Sequence, residues 1–453
     1  MSKTLIKNAM VVTMDNSLGD LLPGDILIEG QKILAVGRNL SAGDAEVIDG
    51  TNRIIAPGFI NAHMHTWQAA LKAVAANWTL LEYFKWVHAG LATQFRPEDI
   101  GIANLFGALT QINAGTTTLV DWCHNNATPD HTDAAVEGLF ESGIRAVFLH
   151  GSPKPDPKPG QPHFSEVNHP RHEVERLLKG RFASRDQLVT LGLAILGPHY
   201  STLEVSRHDF KLAQELGLIA SMHQAGPMPK TPGGWDILEK DGLIGPYLNI
   251  VHATDFDDRR LKRFIDKGVS FSVTPESECC HGHGWPITGR LLACGGNPTL
   301  GNDIETLTSA DMTSSIRVAL GIQRALDNSQ SRERTQSIPA TSTVTTRQAL
   351  SWITTEPAKM LGLESRIGSL TPGKQADLVV VRADDLNIWP AHEPVSSLVM
   401  QTSFGNVDSV MIAGQWKKRA GKLAYADLDR AKSRLKASGD RILDAIGYQK
   451  GKV

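Results

Sequence analysis

The sequence predicts an α/β protein: a distorted (β/α)8 TIM barrel carrying a small β-sandwich domain built from both chain ends. Three observations lead there. Short strands separated by turn residues fill the first fifty or so residues and return near the other end. The long middle alternates strand-like and helix-like stretches, as βα units and a parallel sheet require. Eight candidate strands can be counted in that middle, ending near His65, His124, His150, His199, His223, His252, Glu276 and Asp303.

The N-terminal strands are Leu5-Ile6, Val11 to Met14, Ile26 to Ile28 and Ile33 to Val36, with turns such as Pro23-Gly24-Asp25 between them. After Thr371-Pro372-Gly373-Lys374 the pattern resumes in Ala376 to Val381 and Val407 to Ile412. In the middle, Ser206 to Leu216 and Asp257 to Lys267 carry helical spacing. The expected division is 1–57 and 365–425 for the β-sandwich, 58–364 for the barrel, and 426–453 for a C-terminal helix and tail. An open doubly wound sheet is the rival fold, but no glycine-rich phosphate turn follows the first strand. Gly151 to Arg171 is rich in proline and polar residues and reads either as a lid or as a surface excursion. Asn328 to Thr346 is polar and reads as a mobile loop.

The 453 residues suit one large domain and a smaller one. A formal net charge of -2 gives no reason to expect nucleic acid or an anionic membrane as partner. Cys123, Cys279, Cys280 and Cys294 form no C-x-x-C pair, so reduced thiols and a cytoplasmic location are expected. The start of the chain shows no signal-peptide pattern, and no apolar run reaches membrane-spanning length.

The chemistry centres on His63-Met64-His65. Residues two apart on a strand share a face, so both imidazoles can reach one metal ion. Barrel folds place their sites at the C-terminal strand ends. The assigned ligands are His63 and His65 from strand one, His223 from strand five and Asp303 from strand eight, a nitrogen–oxygen set that suits a divalent metal with an open position for water. A metal lowers the pKa of bound water towards neutrality. Asp303 can accept the proton, and His252 can hydrogen-bond the nucleophile or the developing oxyanion.

Through Pro57 to His65, Gly197-Pro198-His199 and Leu370 to Leu378 the chain resembles the amidohydrolase superfamily, in the group of aromatic and heterocyclic deaminases and chlorohydrolases. The resemblance implies one divalent metal, zinc first and iron second, with His199 touching substrate. It also implies a small-molecule substrate and a homodimer or larger homo-oligomer. No lysine ends strand four, so the carbamylated bridging ligand of two-metal members is missing.

Two departures stand out. Where the group carries a proton-shuttling glutamate three residues after the strand-five histidine, this chain has Gly226. After strand seven, Pro275-Glu276-Ser277-Glu278-Cys279-Cys280-His281-Gly282-His283 replaces the usual motif. Glu276, Glu278, His281 and His283 are therefore expected as substrate-binding or replacement acid–base groups. The expected activity is hydrolysis of an amide, imide or heterocyclic amine C–N bond in a small cyclic molecule. A lyase, decarboxylase or isomerase on the same scaffold, or a catalytically impaired binding protein, are the alternatives.

Overall fold

The computed structural model describes residues 2–41, 43–226 and 228–448. Eight parallel strands run in chain order: Phe59–Met64, Thr116–Cys123, Arg145–His150, Val189–Ala194, Ala220–Gln224, Leu248–His252, Ser270–Val273 and Thr299–Leu300. Nearly every residue in them is buried, because helices cover the outside and side chains fill the inside. Between the last strand and the first, Met64 pairs in parallel with Asp303. The ring is distorted there: strand eight has only two residues, and the register between strands one and two slips twice.

The helices follow from local signals. Thr202 caps Leu203–Leu216 by accepting from the Val205 amide, and Gly217, at φ 59°, ends it in a left-handed turn. Asp257 caps Asp258–Asp266 in the same way through the Arg260 amide. One expectation needs correction. The polar stretch read as a loop from residue 328 is helical as far as Thr335, the end of the 24-residue helix Met312–Thr335. Ile316, Ala319, Leu320 and Gln323 anchor its first half, and the second half continues on helical propensity with its side chains in solvent.

The two chain ends pair in one nine-stranded mixed sheet. Its central joint is Arg53–Pro57 against Leu378–Arg382, antiparallel, with Pro57 opposite Leu378. Ile6, Ile26, Ile28, Ile55, Leu378 and Val380 form part of its own apolar cluster. Only Gly58 separates the end of Arg53–Pro57 from barrel strand one. A Cβ at Gly58 would lie 2.1 Å from the Thr117 side chain, so glycine lets the two sheets meet. The buried pair Arg145–Asp377 ties the third barrel strand to the same sheet, with Nε 2.7 Å from Oδ2. The helix Leu428–Ala445 lies against Pro97–Asn113. Residues 449–453 of the expected tail lie outside the described part. The four cysteines are free. Among the described residues no helix is long and apolar enough to cross a membrane.

Candidate active site

Backbone contacts at the barrel seam place the first group of side chains. The His65 amide donates to the Asp303 carbonyl at 2.7 Å, and the Asp303 amide donates to the His63 carbonyl at 3.0 Å. Gly301 makes this approach possible, since a Cβ there would stand 2.4 Å from the His63 carbonyl oxygen. Below the seam, Asn61 and Asn302 bond reciprocally: Asn61 Nδ2 donates to Asn302 Oδ1 at 2.8 Å, and the Asn302 amide donates to Asn61 Oδ1 at 3.2 Å.

The structure brings His63, His65, His223 and Asp303 together, with one ligand atom of each within 4.8 Å of all the others. His223 Nε2 is 3.2 Å from both His65 Nε2 and His63 Nε2, and Asp303 Oδ1 is 3.2 Å from His63 Nε2. Burial pushes the His65 imidazole down to about 3 and His223 well below its ordinary value, so both rings are neutral at pH 7. The Trp122 carbonyl lies 2.7 Å from His65 Nδ1 and holds the proton there. His65 Nε2 therefore presents a lone pair to the cluster. Neutral nitrogens aimed at one point beside a carboxylate fit a divalent cation.

His252 ends strand six beside this group. Its Nδ1 lies 3.1 Å from Thr274 Oγ1 and 3.3 Å from Glu278 Oε1. Burial pushes the Glu278 carboxyl up to about 8 and the His252 imidazole down to about 4. Both are neutral at pH 7, and the pair is a hydrogen bond, not an ion pair. His252, Ala253 and Asp303 all hold left-handed backbone, at φ 67°, 52° and 65°. Such conformations in residues other than glycine cost on the order of 1–3 kcal/mol each and concentrate at functional sites.

Residues 275–281 form a helix, and this separates the expected acid–base residues. Side chains two apart on a helix point to nearly opposite sides. Glu278 faces His252, whereas Glu276 turns to the helix Met312–Thr335 and accepts from Ser314 and Ser315 at 2.8 and 2.7 Å. Glu276 thus stands outside the cavity. His281 and His283 line it, and the His283 ring centroid is 4.4 Å from that of His252.

His199 also lies elsewhere than expected. Strand four ends at Ala194, and Gly197-Pro198 starts a short helix that carries His199. Its Nδ1 is 3.0 Å from Gln224 Nε2, and it is not part of the cavity wall. Gly226 adopts φ 107°, and a Cβ on it would lie 3.4 Å from His199 Nε2.

The cavity has a second wall, where His124 from the end of strand two is joined by four residues that sequence reasoning missed: Tyr83, His88, Lys154 and Tyr200. Tyr83 precedes and His88 ends a π-helical turn, Phe84–His88, whose irregular winding gives no 3.6-residue pattern. The density of aromatic and histidine residues between Trp78 and His88 was the available signal.

A model of the amidohydrolase family matches residues 54–228 and 247–417. The chain belongs to the amidohydrolase family. Among curated members, it is 26% identical to the 8-oxoguanine deaminase of Pseudomonas aeruginosa, over 98% of this chain and 100% of that one. It is 27% identical to the 5'-deoxyadenosine deaminase of Methanothermobacter thermautotrophicus, over 89% and 91%. Solved amidohydrolase-like folds superpose closely. The zinc complex of atrazine chlorohydrolase TrzN from Arthrobacter aurescens TC1 gives a TM-score of 0.84 at 23% identity, covering 96% of this chain and 100% of that one. The fold and the class, a metal-dependent amidohydrolase acting on C–N bonds, follow from the family, its named members and the His–Asp cluster.

Proposed function

We propose that this amidohydrolase removes an exocyclic amine from a small heterocycle by hydrolysis, with one zinc ion held by His63, His65, His223 and Asp303. The convergence of three imidazoles and one carboxylate at the barrel mouth carries this reading. The deaminases among its relatives support the substrate class, and the zinc in the solved chlorohydrolase supports the metal. A divalent ion in such a site supplies Lewis acidity and an acidified water.

The chain's own groups supply the rest. Asp303 accepts a proton at its carboxylate and returns it to the leaving nitrogen. His252, with Nδ1 turned to Thr274 and Glu278, offers Nε2 as a hydrogen-bond acceptor to the nucleophile. Of the four acid–base residues after strand seven, His281 and His283 remain as direct substrate contacts, and Glu278 acts by positioning His252. Tyr83 and Tyr200 close the cavity against bulk water.

The test is turnover by the zinc-loaded protein across ring amines, cyclic amides and cyclic imides, run in oxygen-18 water. Ammonia release with one labelled oxygen per product is the expected result. Product without label would point to a lyase, decarboxylase or isomerase and overturn the proposal.

The site is also expected to work without a glutamate at 226. Gly226→Glu forces a side chain onto left-handed backbone beside His199, so it should cost ~1–3 kcal/mol of stability. It should not raise kcat. A rise in deamination on this substitution, followed by ammonia release, would show the wild-type site to be impaired.

A further inference from the structure

Lys154 is a buried lysine, 8% exposed, in the wall of the metal-donor cavity. Burying an ammonium is costly, and buried lysines are normally paired with a carboxylate. Among the described residues none pairs with Lys154; burial is the one influence on its titration, which it pushes down to about 8. At neutral pH the group is still mostly a cation. Its Nζ lies 5.3 Å from the Trp122 ring centroid and 5.0 Å from that of Tyr200. Cation–π contacts of this kind recover only part of the desolvation cost. A ligand group that completes the pairing is the natural partner.

Its placement is built in. The Gly151 amide donates to the Cys123 carbonyl at 2.8 Å, and Asn126 Nδ2 donates to the Gly151 carbonyl at 3.0 Å, fixing the loop to the end of strand two. Pro153 and Pro155 flank the lysine and restrict its backbone. Trp122, whose ring lies under the ammonium, also anchors His65 through its carbonyl and packs against His223, centroids 4.4 Å apart. The ammonium therefore stands over the same aromatic wall that positions two of the metal-donor imidazoles.

Most other polar groups of the cavity wall are neutral imidazoles and phenols, which serve donors and acceptors alike. A full cation discriminates. We propose that Lys154 selects substrates bearing an oxygen substituent on the ring: its ammonium receives a carbonyl or anionic oxygen of the heterocycle whose amine is removed. This rests on the ring-amine reading above.

The test uses the full zinc-loaded chain and two matched pairs of ring amines, isocytosine against 2-aminopyrimidine and guanine against 2-aminopurine. Each pair differs by one exocyclic carbonyl oxygen. Calorimetric titration is run on wild type, Lys154→Met and Lys154→Arg, each checked for bound zinc and melting temperature. At least tenfold tighter binding of the oxygen-bearing member by wild type is expected. Lys154→Met should erase that preference and leave the other member within twofold, while Lys154→Arg should keep most of it. A preference that survives Lys154→Met, or equal weakening of both members, overturns the assignment and leaves the ring-amine reading standing. Failure of wild-type protein with bound zinc to bind any of the four compounds overturns both. Lys154→Gln gives the same comparison should the Met variant melt early.

Discussion

Replacing Asp303 by asparagine should lower kcat/KM by ~10²–10⁴-fold, the usual contribution of a positioned acid–base group. Asparagine has the same shape and tolerates left-handed backbone, so the fold should survive. The backbone bonds joining Asp303 to His63 and His65 involve main-chain atoms that the substitution does not touch. Steady-state kinetics, circular dichroism and zinc content decide the matter together. A folded, metal-bound variant with undiminished turnover would show that the proton goes elsewhere. Loss of zinc with the activity would place the chief role of Asp303 in holding the metal.

The largest stability effect is expected far from the cavity, at the buried pair Arg145–Asp377. Arg145 meets the carboxylate through two nitrogens, at 2.7 and 3.2 Å, and Asp377 also accepts from the Ala413 amide at 2.7 Å. Arg145→Met leaves a buried carboxylate without its cation and should cost ~3–5 kcal/mol. The double variant Arg145→Met, Asp377→Asn should recover a substantial part of that, since both charges then leave the interior. Urea denaturation of the four forms measures it. A single variant within ~1 kcal/mol of wild type would mean that water reaches the carboxylate.

Much of this molecule is legible in its sequence, for a physical reason. Buried parallel strands must be apolar and β-branched, and their polar residues cluster where the strands end, so Ile60 to His65 and Leu248 to His252 announce both the barrel and its mouth. The ligand cluster follows because His63, His65, His223 and Asp303 sit at or just past strand ends, where topology alone brings them together. What was hidden depends on contacts between distant segments. Glu276 and Glu278 look equivalent until a helix turns them apart. His199 looks like a strand end until Pro198 starts a helical turn. Tyr83 and His88 come from an irregular segment that packs against His281 and His124, and Lys154 from a loop that sets its ammonium over Trp122 and Tyr200, contacts which no periodicity encodes.

The left-handed backbone at His252, Ala253 and Asp303 bears on how this protein can be improved or can decay. Proteins sit near a stability threshold, and relief of local strain is among the easiest gains. Glycine or asparagine at position 252 would relax the chain there and remove the imidazole that Thr274 and Glu278 hold in place. Random searches for heat-resistant forms will therefore be drawn to the barrel mouth, and the variants that survive longest are the ones to assay first for lost turnover.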